Sequence, residues 1–208
     1  MRRRRGRLIV LEGGEGAGKS THARSVAAWL RRRGGRAILT REPGGSPLAE
    51  SIREVVLEQW KEGMDASTEL LLMFAARAAH LHATIRPALE AGRDVVCDRF
   101  VDATYAYQGA GRGMPIAQID TLASMVLRGL KPDLVLVLDL SPAQGATRVH
   151  KRGTGNRFDR ERLRFARAVR KAYLHRAGRD PERYAVIDAS QPQAEVGRAI
   201  RRALEQRL

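Results

Sequence analysis

A short run near the start of the chain restricts its fold more than any other. Gly13-Gly14-Glu15-Gly16-Ala17-Gly18-Lys19-Ser20 fits the spacing G-x-x-x-x-G-K-[ST] of a phosphate-binding loop. Its glycines let consecutive backbone N–H groups curl round phosphate oxygens, an approach that a Cβ obstructs. Such a loop needs a buried strand before it and a helix after it. Leu8-Ile9-Val10-Leu11 is an apolar run suited to the strand, and Thr21 to Arg33 reads as the helix. A chain with this opening is committed to an α/β layout with a nucleoside triphosphate at the loop. Gly13 to Thr21 are the residues that would cradle it, with Lys19 on the outer phosphates and the Ser20 hydroxyl on Mg²⁺.

The remainder repeats the same alternation. Strands are expected at Leu8–Glu12, Ala37–Thr40, Asp94–Asp98, Leu134–Asp139 and Tyr184–Asp188. Their apolar runs are continuous, as in parallel strands covered on both faces. Ser46-Pro47 opens a helix, Ser46 as the cap and Pro47 at the first helical position. Ile52, Val55 and Val56, with Leu48, are its expected buried face. A long helix is expected over Thr68–Glu90, kinked or restarted at Pro87, with others over Met114–Leu130 and Gln193–Leu208. The sum is one domain over residues 1–208: a five-stranded parallel sheet flanked by helices on both faces.

Composition removes several alternatives. Cys97 is the only cysteine, which rules out an intrachain disulfide and suits a reducing, cytoplasmic setting. No apolar run approaches the ~20 residues that span a bilayer, so no membrane partner is expected. The formal net charge of +15 raises the question of nucleic acid. Yet the arginines are spread along the chain, except near Arg2–Arg5 and Arg31–Arg33, and aromatics make up only 5 %. A stacking platform for single strands is not evident, and the charge suits anionic small substrates. A nucleic-acid-dependent ATPase is therefore the rival from another class, and DNA-stimulated ATP hydrolysis would reveal it.

Ligands of open α/β sheets sit at the carboxyl ends of strands. Asp98 ends one strand and Arg99 follows it. The acid suits Mg²⁺ or acceptor orientation; the arginine suits a bidentate grip on a phosphate. Asp139, at another strand end, competes for the metal role, although Ser141 behind it reads as a helix cap. Arg41-Glu42-Pro43-Gly44-Gly45 forms a loop at a third strand end. Phe74 and Arg77, three apart on a helix, suit a flat heterocycle, one stacking and the other donating; taken alone, they read rather as a core ring and a surface charge. Thr104, Tyr107 and Gln108 carry groups able to read a base edge, and Gly109 to Gly113 reads as a flexible turn. Lys151 to Arg157 is a basic, glycine-bearing segment of the kind that closes over a phosphoryl group.

Taken in order, Leu11 to Thr21, Thr40 to Gly45, Leu71 to Arg77, Asp98-Arg99-Phe100, Tyr105 to Gly109 and Arg157-Phe158 resemble the bacterial thymidylate kinase family. The resemblance covers nearly the whole chain from Arg7 onward. It implies a P-loop kinase fold with a short lid at about residues 150–158 and transfer of the ATP γ-phosphoryl group to dTMP with Mg²⁺. The nearest rival is another P-loop nucleotide or nucleoside kinase. By the same resemblance, Phe74 stacks on thymine, Arg77 bonds its carbonyl edge, and Thr104, Tyr107 and Gln108 complete the pocket. Arg99 holds the acceptor phosphate beside Arg41 and Pro43, and Glu15 faces the deoxyribose 3′-hydroxyl. The phosphate loop contains no arginine, so the catalytic arginine is expected from the lid, Arg152 first and Arg157 second. Members commonly read Asp-Arg-Phe-Glu where this chain has Asn156-Arg157-Phe158-Asp159. A homodimer is also implied.

Overall fold

The computed structural model describes residues 5–152 and 163–208, with no side chain described for Arg152. Five strands form one sheet: β1 (Leu8–Glu12), β2 (Ala37–Arg41), β3 (Asp94–Asp98), β4 (Leu134–Asp139) and β5 (Tyr184–Asp188). Their order is β2-β3-β1-β4-β5, and every neighbouring pair runs parallel. The chain leaves β1 to one side for β3 and β2 and to the other for β4 and β5. The carboxyl end of β1 is thus the crevice where an open α/β sheet takes its ligand.

Alternation along the strands decides what each face meets. Leu8, Val10, Val95, Cys97, Val135 and Val137 point to one side, into a core with Phe74, Phe100 and Tyr173. Ile9, Leu11, Val96, Leu134, Leu136 and Leu138 point to the other. There they meet Ala23, Val26 and Leu30 of α1 (Lys19–Arg32) and Val196, Ile200 and Leu204 of α9 (Gln193–Arg207). The same parity holds beyond the apolar residues. It sends Glu12 to the first side and Asp98 to the second.

The first side is covered by α3 (Ala66–His80), α4 (Arg86–Glu90), α5 (Val101–Thr104), α6 (Ile116–Leu127) and α8 (Leu163–Arg179); α2 (Pro47–Leu57) packs against α3, and α7 (Pro142–Arg152) against α8. Four expectations shift. Helix α1 starts at Lys19 rather than Thr21, behind a left-handed Gly18, so Lys19 and Ser20 occupy its first turn. On α2 the buried residues are Ala49 and Val56, whereas Leu48 is 64 % and Val55 40 % exposed. Three- and four-residue steps from Ala49 lead to Ile52, Arg53 and Val56 and leave those two outside. The expected long helix starts at Ala66, capped by Asp65, and passes through a π-helical turn at Leu81–Ile85 before α4. That widened turn precedes Pro87, which lacks the N–H of a regular helix. Finally, Tyr105–Gly111 is a π-helical turn with Ala106 to Gly109 buried, not a flexible tail. Gly111 is needed there because a Cβ would stand 2.4 Å from the Phe165 ring.

Candidate active site

A cavity of about 340 Å³ opens at the carboxyl ends of β1, β2 and β3. One end is the phosphate loop and α1, contributing Glu15, Gly16, Gly18, Lys19, Ser20 and Thr21. Gly13, Gly16 and Gly18 have φ of 139°, 74° and 88°, a region side chains disfavour. Close approach adds to this: Cβ atoms on Gly16 and Gly145 would stand 2.5 Å from the Gly145 and Glu15 carbonyl oxygens. Lys19 Nζ donates to the Gly14 carbonyl at 2.7 Å. Burial, then the nearby Arg99 charge, lowers its pKa, with Glu15, Asp98 and Glu12 opposing. Incoming phosphate charge would relieve that penalty.

Asp98 lies across from this first turn. Its parity on β3 aims it at α1, where Ser20 Oγ donates to Asp98 Oδ2 at 2.5 Å. Among the described residues, no three His, Cys, Asp or Glu cluster to hold a metal. One hydroxyl and one carboxylate nevertheless form a hard-oxygen pair suited to Mg²⁺, which retains phosphate and water ligands. Asp139 is committed elsewhere: Arg170 of α8 grips it bidentately, Nε to Oδ1 at 2.7 Å and Nη2 to Oδ2 at 2.8 Å.

Arg99 is the electrostatic centre. Its Nη1 donates to Gly13 O at 3.3 Å and the Tyr173 hydroxyl at 3.2 Å; its Nη2 donates to the Tyr107 hydroxyl at 2.9 Å and to Glu15. Burial opposes its charge, but Tyr107, Glu15, Tyr173 and Glu12 outweigh burial and raise its pKa. Burial in turn raises the Tyr107 and Tyr173 phenols, so both are neutral near pH 7. Glu15, expected near the acceptor sugar, is thus paired to the arginine expected on the acceptor phosphate.

The β2 loop closes a third side. Arg41 and Pro43 line the cavity as expected, Arg41 held by Glu50 at 2.7 Å. Glu42 turns inward, accepting from Arg77 Nε at 2.7 Å and bonded to His80 Nδ1 at 3.1 Å. Arg77 also donates to Thr104 Oγ1 at 3.0 Å and the Phe100 carbonyl at 3.1 Å. Arg77 is 1 % and Phe74 2 % exposed, and the two stack at 5.0 Å within the core. Neither they nor Thr104 are on the cavity wall. Met73, one position before Phe74, is on it, with Tyr107 and Gln108. Gln108 Nε2 donates to Glu69 Oε1 at 2.7 Å, which fixes the carboxamide orientation, since a carboxylate must accept. Its Oε1 is buried without a hydrogen-bond partner among the described residues.

Five wall residues were not anticipated from the sequence: Arg53, Leu57, Met73, Ala103 and Arg148. Arg53 carried a signal, because it shares the helix face of Ala49 and Val56 and a cation on a buried face is anomalous. Arg53 Nη1 donates to the Pro43 carbonyl at 2.7 Å. Arg148 of α7 donates to the Ala189 carbonyl at 2.9 Å and approaches Gly16 O at 3.5 Å, joining the phosphate loop to the segment after β5. Of the lid arginines, Arg152 ends α7 with its side chain outside the described residues, and Arg157 lies wholly outside them.

Comparison with known proteins agrees with this geometry. The profile described as thymidylate kinase matches residues 11–200. The thymidylate kinase of Pseudomonas entomophila is 56 % identical over 195 residues, covering 94 % of this chain and 93 % of its own. That of Chromohalobacter salexigens is 53 % identical over 205 residues, covering 98 % and 97 %. Among solved structures, thymidylate kinase from Ehrlichia chaffeensis superposes with a TM-score of 0.78 at 30 % identity, covering 96 % of this chain and 98 % of that one. With the phosphate loop, the Asp98-Arg99 corner and the Arg41 to Gly45 loop meeting in one cavity, and relatives matched nearly end to end, the chain belongs to the thymidylate kinase family.

Proposed function

We propose that this chain transfers the γ-phosphoryl group of ATP to dTMP, giving dTDP and ADP, as one catalytic domain of a cytoplasmic homodimer. The observation that carries the reading is the single cavity joining a triphosphate loop to a second arginine-lined compartment. Two anionic substrates meet there end to end. A dTMP phosphate oxygen attacks the γ-phosphorus as the bond to ADP breaks.

Catalysis is mainly positioning and charge stabilisation. The loop amides and α1 N-terminus receive the β- and γ-phosphates, with Lys19 exchanging the Gly14 carbonyl for a phosphate oxygen. Ser20 and Asp98 would hold Mg²⁺, which neutralises phosphate charge when bound. Arg99, joined by Arg53 on the same wall, grips the acceptor phosphate and keeps its oxygen in line. Glu15 holds Arg99 and faces the sugar. The base lies over Met73 beside Tyr107, and the unpaired Gln108 oxygen accepts a ring N–H such as the one thymine carries. Arg77 and Thr104 support this floor from beneath, with Phe74 packed on Arg77. Arg152 or Arg157 supplies the lid charge. No helix among the described residues is long and apolar enough to cross a membrane.

The test is ADP release, coupled to NADH oxidation, across dTMP, dUMP, dGMP, dCMP and dAMP with ATP and Mg²⁺. The reading expects dTMP to lead and dUMP to follow within the 10–200-fold that one methyl group commands. Equal turnover of a purine monophosphate, or hydrolysis stimulated only by DNA, would overturn it.

A further inference from the structure

Arg99 has a backbone that its residue type disfavours. Its φ is 71°, in the left-handed region, and the only other non-glycine with positive φ among the described residues is Arg128, just after α6. A side chain in that region persists only where its surroundings fix it. Three contacts flank it. Its own N–H donates to Leu11 O at 2.9 Å, and its carbonyl accepts from Cys97 Sγ at 2.9 Å. The next N–H, that of Phe100, donates to Glu12 Oε1 at 2.8 Å. The first two are strand-neighbour and local contacts, whereas the third requires a fully buried carboxyl.

Nothing in the phosphoryl transfer described above uses Glu12. It ends β1, next to the phosphate loop, yet its parity turns it away from the cavity and towards Phe100 and Tyr173. Burying a carboxyl costs free energy, so an acid kept there calls for a task. The left-handed corner sends the Arg99 guanidinium back across the end of β1 to Gly13 and Glu15. In the extended conformation usual after a strand, the side chain would leave in another direction. We infer that Glu12 is a positioning residue, whose carboxyl oxygen locks the Phe100 amide and thereby aims Arg99 at the acceptor phosphate. The inference rests on Arg99 binding that phosphate.

Charge is not what this task needs. Burial, reinforced by Asp102, raises the Glu12 pKa to about 8 against the opposing pull of Arg99, the Phe100 amide and Tyr173, which favours the neutral carboxyl, an acceptor of fixed reach. Glutamine keeps that reach and an acceptor oxygen. Aspartate keeps the acid and falls one methylene short. The expected order therefore inverts the usual conservative series.

Steady-state KM and kcat are measured for Glu12→Gln, Glu12→Asp, Arg99→Ala and the Glu12→Asp/Arg99→Ala double variant, varying dTMP and ATP separately. Expected are a dTMP KM within threefold of wild type for Glu12→Gln, a rise of about tenfold for Glu12→Asp with ATP KM unmoved, and no further rise when Glu12→Asp is added to Arg99→Ala. Glu12→Gln at or beyond the Glu12→Asp defect would overturn the inference, because charge would then be the property at work. So would a Glu12→Asp effect that persists in full without Arg99, or one that raises both KM values equally. An Arg99→Ala variant with unchanged dTMP KM would instead refute the acceptor-phosphate reading beneath it.

Discussion

Truncating Glu42 should destabilise the protein far more than removing a single hydrogen bond. Its side chain and that of Arg77 are 2 % and 1 % exposed, joined at 2.7 Å, with His80 on the other carboxylate oxygen at 3.1 Å. Glu42→Ala leaves Arg77 with two neutral acceptors, Thr104 Oγ1 and the Phe100 carbonyl, around a buried full charge. Breaking a buried pair from one side costs about 3–5 kcal/mol. At about 2–4 °C per kcal/mol for a chain of this size, the melting midpoint should fall by roughly 6–20 °C. Thr104→Val removes one acceptor from the same guanidinium and should cost less, about 1.5–3 kcal/mol. The decisive variant removes both charges: Glu42→Ala/Arg77→Met should recover much of the loss, since no unpaired ion remains. Urea midpoints at neutral pH without nucleotides give all three values. A Glu42→Ala cost below about 1 kcal/mol, or a double variant no more stable than Glu42→Ala alone, would refute a penalty arising from the stranded Arg77 charge.

Three further outcomes are expected. Lys19→Ala should abolish turnover in the coupled ADP assay with a near-wild-type circular dichroism spectrum, because among the described residues its ammonium donates only to a loop carbonyl; near-wild-type kcat would contradict this. Gly145→Ala should raise ATP KM several-fold and leave dTMP KM unchanged, since the added Cβ, 2.5 Å from the Glu15 carbonyl oxygen, must push α7 off the phosphate loop; a change confined to dTMP KM would contradict it. Finally, a carboxyl whose pKa rises from 4.5 to about 8 on folding binds its proton more tightly in the native state. Stability from this group therefore falls as pH rises between those values. The wild type should lose urea stability relative to Glu12→Gln between pH 5 and pH 8, and parallel pH profiles would contradict this.

How much was legible in the sequence follows from which interactions are local. The five strands were readable because each is a short apolar run bounded by turn residues, and parallel burial on two faces leaves that pattern unambiguous. The phosphate loop was readable because its chemistry is backbone chemistry, which fixes glycine positions. Strand-end position beside the phosphate loop points to Asp98 and Arg99, and both line the cavity. The base compartment was less legible. Phe74 and Met73 precede Arg77 by three and four residues, so both neighbour it on the helix. Residue type favours the ring as the base contact, whereas Phe74 packs in the core with Leu70 and Phe100 and the Met73 thioether lines the cavity. Arg77 is charged and looked like a contact group, yet Glu42, 35 positions away, takes it inward. No window of local sequence contains that pair.

Glu12 shows what combined reading of sequence and topology can recover. In isolation it is an acid after an apolar strand, and the neighbouring loop draws attention away from it. Once the register pairs Leu11 with Asp98, parity requires the two acids to face opposite sides of the sheet. Asp98 then meets Ser20, while Glu12 enters the apolar side, where it accepts from the Phe100 amide and lies beside Tyr173. On the proposed reading, two acids at adjacent strand ends divide the site's work: Asp98 would serve Mg²⁺ and the donor phosphates from the α1 side, and Glu12 would set the acceptor arginine from beneath. That division predicts separable kinetic signatures. Substitutions at Asp98 should move Mg²⁺ and ATP dependence, and those at Glu12 should move dTMP dependence. Loss of this separation would mean that the two faces of the sheet do not partition the two substrates.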